Sequence, residues 1–208
     1  MQKIEKYFEK WKINLNSSKT ENIVFTRKYT QNKIFTPLLI QQQKITTKND
    51  VKYLGIKLDK RLTFKNHIKD SLRKAYANMK TLFPLLSRDS FLTQKNKKLI
   101  YTTILRPTLS YAAPAWCHVS KTTMKPLQIY QNKCLRLINN RGRDTKITDL
   151  HELSQIERID DFITRISKTF YETQLKHNKL TRDIPKRLRD TTGKNPKFIS
   201  IYKKIGII

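Results

Sequence analysis

Lys65, Lys69 and Arg73 recur every fourth residue, the spacing that puts three cations on one side of a helix about 6 Å apart. A row of that kind can track the phosphates of a nucleic acid, and it can equally be the solvated side of an amphipathic helix. Lys121, Lys125, Asn132 and Arg136 form a second such set, opposite the apolar residues of their own segment. Tyr29, Tyr101, Tyr111 and Trp116 are rings on which bases can stack, although aromatic side chains are more often buried. Asp160-Asp161 is the one adjacent acid pair, the composition a metal-dependent phosphoryl transfer would use. It lies within a helical pattern set by Ile159 and Ile163, and neighbours on a helix point about 100° apart, so solvent exposure suits it better than a shared metal. Cys117, His118, Cys134 and His151 fit no two-by-two zinc spacing, and Cys134 falls on an apolar helix face.

The charge balance points the same way as the basic rows. The 208-residue chain carries 44 Lys and Arg against 16 Asp and Glu, a formal charge of +28. Self-repulsion of that size is relieved by a polyanion, and nucleic acid is the first candidate. No apolar run approaches the ~20 residues of a spanning helix, and the charged, amphipathic start carries no signal core. No membrane partner is therefore expected. Two cysteines suggest no disulfide scaffold, so a reducing compartment, nucleus and cytoplasm, is expected. A hydrophobic content of 38% supports a core and argues against a disordered basic tail.

The elements that must position these residues follow from periodicity. Ile4, Tyr7, Phe8, Trp11 and Leu15 predict a helix over 2–12. Asn14–Lys19 reads as a turn and Asn22–Thr26 as a short strand, with weaker strands around Ile34-Phe35 and Leu38–Ile40 broken by Pro37. Val51–Asp59 alternates and predicts one strand with Gly55 in its middle. There a missing Cβ lets another backbone approach, and Tyr53 and Leu54 would face opposite sides, one of them the core. From Phe64 to Leu86 a stripe that includes Ile68, Leu72, Ala75, Tyr76 and Met79 predicts a long helix, ended or bent at Pro84. Leu99 to Leu105 begin a kinked helix or two short ones, given Pro107 and Pro114; Met124–Ile138 and Leu153–Phe170 mark two more helices.

Several of these blocks, in order, resemble one family. Trp11-Lys-Ile-Asn-Leu-Asn16-Ser-Ser-Lys19-Thr20 with Ile23-Val-Phe25 resembles the fourth palm motif of reverse transcriptases from non-LTR retrotransposons. Val51-Lys-Tyr-Leu-Gly-Ile56 resembles their primer grip, and Leu62-Thr-Phe64 with His67-Ile68 the start of the thumb. Asn96-Lys, Tyr101, Ile104-Leu-Arg-Pro107, Tyr111-Ala, Pro114-Ala-Trp116, Gln131-Asn-Lys133 and Leu135-Arg136 resemble the region that follows. Each motif alone is weak; their shared order over roughly residues 1–165 is similar to jockey-like elements of arthropods.

The resemblance implies an α+β, mainly α fold: a palm-edge and primer-grip remnant over 1–62, the thumb start over 63–90, a helical thumb and post-thumb region over 91–177, and a basic, less ordered tail over 178–208. It implies RNA and DNA as partners, in the form of a primer–template duplex, with Lys52, Tyr53 and Gly55 in the block that matches the primer grip. Lys65, Lys69, Arg73, Lys121, Lys125 and Arg136 are the further nucleic-acid candidates, taken from their helical spacing. Lys19 matches a lysine near the incoming nucleotide and would help on the phosphate side only in an intact polymerase. The family's metal-binding carboxylates lie upstream of the Lys19 motif, so no catalytic residue, metal ligand or cofactor is expected in this chain. Two Mg²⁺ belong to the intact enzyme, with its upstream palm and fingers. Glu5, Glu9, Glu21, Asp50 and Asp59, the acids before the thumb, sit on no common hairpin. The expected function is primer–template binding as the C-terminal segment of an RNA-directed DNA polymerase, without catalysis by itself. The alternatives are a non-enzymatic nucleic-acid-binding protein derived from such an element, and a relic without function.

Overall fold

The computed structural model describes residues 2–26 and 38–177. The strand expected at Ile34-Phe35, Pro37, Tyr29 and the basic tail lie outside the described residues. The chain divides into two compact units, Met1–His67 and Ile68–Ile208, with the division inside a helix.

The first unit opens with helix α1, Gln2–Lys10. Lys12 ends it in the left-handed region at φ 51°, with Lys12 N–H donating to Glu9 O at 3.0 Å and Ile13 N–H to Phe8 O at 2.9 Å. This is a Schellman closure that satisfies two of the helix's orphan carbonyls, with lysine where glycine is usual. Asn16 then organises the loop: its Oδ1 accepts from Lys19 N–H at 3.0 Å and Ser18 Oγ at 2.6 Å, and its backbone O from Thr20 Oγ1 at 2.8 Å. β1 (Asn22–Ile23) pairs in parallel with β4 (Thr47–Lys48), and β2 (Leu39–Ile40) pairs antiparallel with β3 (Gln43–Lys44). The strand expected over Asn22–Thr26 therefore shrinks to two residues.

The single strand expected over Val51–Asp59 is instead a hairpin. β5 (Asp50–Tyr53) and β6 (Ile56–Asp59) pair antiparallel in the register Asp50↔Asp59, Val51↔Leu58, Lys52↔Lys57, Tyr53↔Ile56. Two of the acids expected to share no hairpin thus stand opposite each other at its open end, because the expected single strand folds back on itself. Leu54 and Gly55 form the two-residue turn with φ of 45° and 82°. Two central residues with positive φ are what a type I′ turn needs, because its twist matches that of the flanking strands. Gly55 is thus a turn residue and not a bare patch in mid-strand. Tyr53 and Leu54 do not divide between core and solvent: they are 63% and 74% exposed. Replacing Leu54 by Asn is expected to stabilise the hairpin and Gly55→Ala to destabilise it, each by about 1 kcal/mol, since only the latter puts a Cβ against the left-handed backbone. Equilibrium denaturation of the two variants checks this; a neutral Gly55→Ala would contradict the turn.

Past β6 the chain runs through two further left-handed residues, Leu62 at 51° and Phe64 at 56°. Asp59 supports them. Its carboxylate accepts from Arg61 N–H at 3.3 Å, Thr63 N–H at 3.0 Å, Thr63 Oγ1 at 3.1 Å and Phe64 N–H at 2.7 Å. Partial burial would raise this carboxyl, but the hydrogen bonds to Thr63, Phe64 and Arg61 outweigh it and hold Asp59 below its ordinary value.

The second unit is helical among its described residues. Helix α2 spans Lys65–Thr81 and a one-turn α3, Phe83–Leu86, carries Pro84 in its first turn, so the proline starts a new helix at the end of the long stripe. α4 (Gln94–Ile100) is capped by Thr93 Oγ1 accepting from Asn96 N–H. A π-helical turn, Tyr101–Leu105, leads from it into α5 (Arg106–Ser110). Arg106 N–H reaches back five residues to Tyr101 O, and the widened turn makes room for the Pro107 ring, which would crowd a carbonyl in an α-helix. Where a kinked helix or two short ones were expected, the chain forms one helical run over 94–110 with a π turn inside, followed by a short separate helix. Ala112 at φ 53° then starts the short α6, Ala113–Trp116. α7 (Lys121–Ile138) is capped by Ser120 and contains Pro126; α8 spans Ile147–Ser154 and α9 Ile159–His177.

The core of this unit holds Tyr101, Leu105, Leu109, Trp116, Leu127, Tyr130, Cys134 and Leu135, all fully buried. α6 and α8 pack against α9 and α7 respectively, and α7 packs against α9. A polar cluster inside fixes the start of α9: Gln131 Oε1 and Gln128 Oε1 accept from Ile159 N–H, and Gln131 Nε2 donates to Glu157 O at 2.9 Å. The molecule is α+β and mainly α, with the strands of its described residues confined to the first unit.

Candidate nucleic-acid interface

α2 and α7 carry five and four Lys or Arg residues, and Asp70 is the only acid on either. The apolar side of α2 is buried through Ile68, Ala75 and Met79, and that of α7 through Leu127, Tyr130, Cys134 and Leu135. The two helices are tied directly. Tyr130 Oη donates to Ala75 O at 2.7 Å, the Cys134 thiol meets Met79 Sδ at 3.9 Å, and Tyr76 and Tyr130 pack edge to face at 4.9 Å. Burial, with Cys134 beside it, pushes the Tyr130 phenol up, and burial pushes the Cys134 thiol up to about 12. Neither group ionises near neutral pH, so the seam is sealed by neutral contacts.

This tie brings two separate rows together. Lys69, Arg73 and Lys80 are exposed along one side of α2, and Tyr76 lies within that row, 38% exposed. Across the seam Lys133 of α7 holds its Nζ 5.4 Å from the centre of the Tyr76 ring. Ile129, Lys125 and Lys121 continue the exposed side of α7. The outcome is a strip with cations on both helices and a partly exposed aromatic ring at the seam. Arg73 is paired with Asp70 at 3.5 Å, an exposed contact of the kind worth little.

Lys65 is exposed in the first turn of the same helix as Lys69 and Arg73. Lys121 and Lys125 are exposed, but the row expected to join them to Asn132 and Arg136 is interrupted. Asn132 is buried and accepts from Gln128 Nε2 at 2.8 Å, and Arg136 is half-buried with its Nε donating to Gly142 O at 3.2 Å. α8 packs against α7 and the chain beyond α7 turns back over it, which occupies that half of the face. Lys133 had no place in the sequence pattern of candidates, and Tyr76 was grouped with the apolar stripe. The four-residue step Lys125–Ile129–Lys133 was the available signal for the first.

In the first unit Lys19 is exposed, at the end of the Asn16 turn. Lys52 is exposed and stands opposite Lys57 on one side of the hairpin, while Tyr53 stands opposite Ile56 on the other. Gly55 holds the turn between them.

The remaining candidates divide differently. Tyr101 and Trp116 are fully buried, the latter donating its indole N–H to Tyr111 O at 2.9 Å, and neither offers a face to a base. Tyr111 is exposed. Cys117 and Cys134 are buried thiols, and His151 faces the polar cluster, with Nδ1 donating to Ile156 O at 2.7 Å and Nε2 meeting Gln128 Nε2 at 3.2 Å. Asp160 and Asp161 occupy the first turn of α9, where carboxylates favour the helix dipole, and Asp160 pairs with Arg158 at 3.3 Å. Among the described residues no group of three or more His, Cys, Asp or Glu is placed to hold a metal ion, and no helix is long and apolar enough to cross a membrane.

The chain is similar in sequence to curated mobile-element proteins. It is 31% identical over 205 residues to a probable RNA-directed DNA polymerase from transposon X-element of Drosophila melanogaster, covering 93% of this chain and 22% of that protein. It is 29% identical over 172 residues to a probable RNA-directed DNA polymerase from transposon BS of the same species, covering 83% and 19%. To the RNA-directed DNA polymerase from mobile element jockey of Drosophila funebris it is 27% identical over 176 residues, covering 84% and 19%. No family model and no solved structure matches. The chain is thus a distant relative, over most of its length, of the polymerases of jockey-like elements, and it spans about a fifth of their length.

Proposed function

We propose that the chain binds nucleic acid as the thumb-side segment of such a polymerase, holding a primer–template duplex of RNA and DNA behind the catalytic centre of a longer enzyme. The observation that carries this reading is the α2–α7 strip: Lys69, Arg73, Lys80, Lys121, Lys125 and Lys133 exposed on two packed helices that carry one acid between them, with Tyr76 at the seam. Cations four residues apart follow the helix at about 6 Å, close enough for neighbouring phosphates to be engaged together. Lys65, Lys69, Arg73, Lys121 and Lys125 would neutralise the backbone, with Lys133 added by the tertiary fold; Arg136, held by Gly142, would contribute less. The β5–β6 hairpin, with Lys52, Tyr53 and Gly55, would stand as the primer grip. Lys19 would act beside the nucleotide only within the complete palm.

Polymerisation uses two metal ions about 3.5–4 Å apart on rigid carboxylates. Among the described residues no three carboxylates come together to hold such a pair. Glu5 and Glu9 share α1, Asp50 and Asp59 stand opposite each other on the β5–β6 hairpin with Asp59 taken up by Arg61, Thr63 and Phe64, and Asp160-Asp161 are consecutive on a helix. No catalytic step is assigned to this chain; upstream palm and fingers would supply the carboxylates and the two Mg²⁺.

Binding of a labelled RNA–DNA hybrid, followed by fluorescence anisotropy, tests the reading together with primer extension. The purified chain is expected to bind the hybrid and to extend no primer with either Mg²⁺ or Mn²⁺. Failure to bind at 50 mM salt would remove the proposal. Extension that disappears on Asp160→Ala or Asp161→Ala would overturn the view of that pair as a helix terminus.

A further inference from the structure

We infer that helix α1 carries a second nucleic-acid site, one that takes single strands by stacking bases on Tyr7 and Trp11. The helix spans Gln2–Lys10, in the first unit, whereas Lys69, Arg73 and the whole of α7 lie in the second. Ile4, Tyr7 and Trp11 recur at steps of three and four, so they share one side, and in the structure that side is open: Tyr7 is 59% and Trp11 61% exposed. The rings are held in place and not left to wander. Tyr7 packs edge to face on the half-buried Phe8 at 5.8 Å and lies 6.3 Å from Trp11 at a tilt of 51°. Lys3, Lys6 and Lys10 are exposed and fall, by helical geometry, on the side next to Tyr7.

The acids of the helix are kept away from this side. Glu5 accepts from Gln41 N–H at 2.8 Å, and Glu5 and Glu9 line a cavity of about 570 Å³ together with Phe8, Leu15, Gln41 and Gln42. One side of α1 therefore shows aromatic rings beside a row of lysines, with no carboxylate among them. Rings that stack on any base, next to cations that follow the backbone, are the two parts of a sequence-tolerant single-strand platform. Charge complementarity selects a polyanion, and the exposed rings select one with free base faces, which a duplex lacks. An anionic lipid surface would match the lysines. It would find only three apolar side chains to bury, one of them a tyrosine, and interfacial binding grows with the buried apolar area.

The molecule contains its own reporter. Trp11 is exposed and Trp116, the other tryptophan, is fully buried, so quenching of fluorescence by a bound base reports on α1. Titration of the chain with an oligo-dT 12-mer at 50 mM salt is expected to quench, and a duplex of equal length to quench little. Tyr7→Ala should weaken the oligonucleotide by roughly 5- to 150-fold, the range for one stacked base. Trp11→Ala, read by anisotropy, should do the same, and Trp11→Phe should recover most of the loss. The variant Lys69→Glu/Arg73→Glu/Lys133→Glu should keep the quench, which separates this site from the α2–α7 strip. Absence of quenching at saturation, an unchanged affinity in well-folded Tyr7→Ala, or displacement of the oligonucleotide by anionic vesicles that quench equally would each overturn the inference.

Discussion

Reversing Lys69, Arg73 and Lys133 together to Glu is expected to weaken duplex binding on the order of 10²–10³-fold at 100 mM salt, with the fold intact. The size follows from counterion release. Each neutralised phosphate contributes about 0.9 to the slope of log affinity against log salt, so three lost contacts flatten it by about 2.7 and remove nearly a decade each at 0.1 M. For the unchanged protein, contact with six to ten phosphates would reduce affinity about 10³–10⁵-fold between 50 and 200 mM salt. The loss should be uniform across sequences, because phosphate contacts carry no base information. All three side chains are exposed, and the buried sides of α2 and α7 are left alone, so the urea midpoint should hardly move. Filter binding over a salt series checks both numbers. A triple variant with unaltered slope would place the binding surface elsewhere. Lys133 is the informative member: its effect should appear only if α2 and α7 act as one strip, as its position over the Tyr76 ring requires.

Tyr130→Ala is expected to cost about 3–5 kcal/mol of stability, the range for removing a fully buried aromatic ring from a close-packed core. Tyr130 is fully buried, bonds to α2 through Ala75 O and packs on Tyr76, so its removal opens a cavity along the α2–α7 seam. Tyr130→Phe keeps the ring and gives up one hydrogen bond, for about 1 kcal/mol. Urea denaturation of the pair measures the difference. Nucleic-acid affinity adds a second reading: Phe should bind like the parent, while Ala should bind more weakly even where it stays folded, because the strip is assembled through this residue. Equal stability of the two variants would show that the ring does not hold the seam.

Much of the helical architecture was legible because burial on a helix is written into spacing. The stripe from Phe64 to Leu86 predicted a long helix, which the structure divides into α2 and α3, and the stripe around Leu127 predicted α7. The helix expected over Leu153–Phe170 is α9 only from Ile159, because left-handed Gln155 ends the separate α8 at Ser154. The β-hairpin was misread for a local reason. Alternation in Val51–Asp59 is equally consistent with one strand or with two folded on each other, and only the positive φ of Leu54 and Gly55 tells them apart. Glycine preceded by a residue that tolerates the left-handed region is the usual sign of such a turn, and leucine in that place conceals it. The π turn before Pro107 was half legible: proline signalled a distortion but not its form.

The candidate interface shows the same division. Sequence by itself determined the surplus of positive charge, the spacing of Lys65, Lys69 and Arg73, and the distant similarity to mobile-element polymerases, because charge, helical period and homology are properties of the chain as written. Which cations stand side by side was decided only by the tertiary structure. Helical spacing ranked Lys121, Lys125, Asn132 and Arg136 as one row, but docking against α8 and the turn at Gly142 took Asn132 and Arg136 out of it. The Tyr130–Ala75 bond brought Lys133 across to Tyr76 and the α2 row, although the paired residues lie more than fifty positions apart. Period within a helix records which of its sides is buried; it carries no information on which other helix does the burying, and that choice sets the neighbours a phosphate would meet.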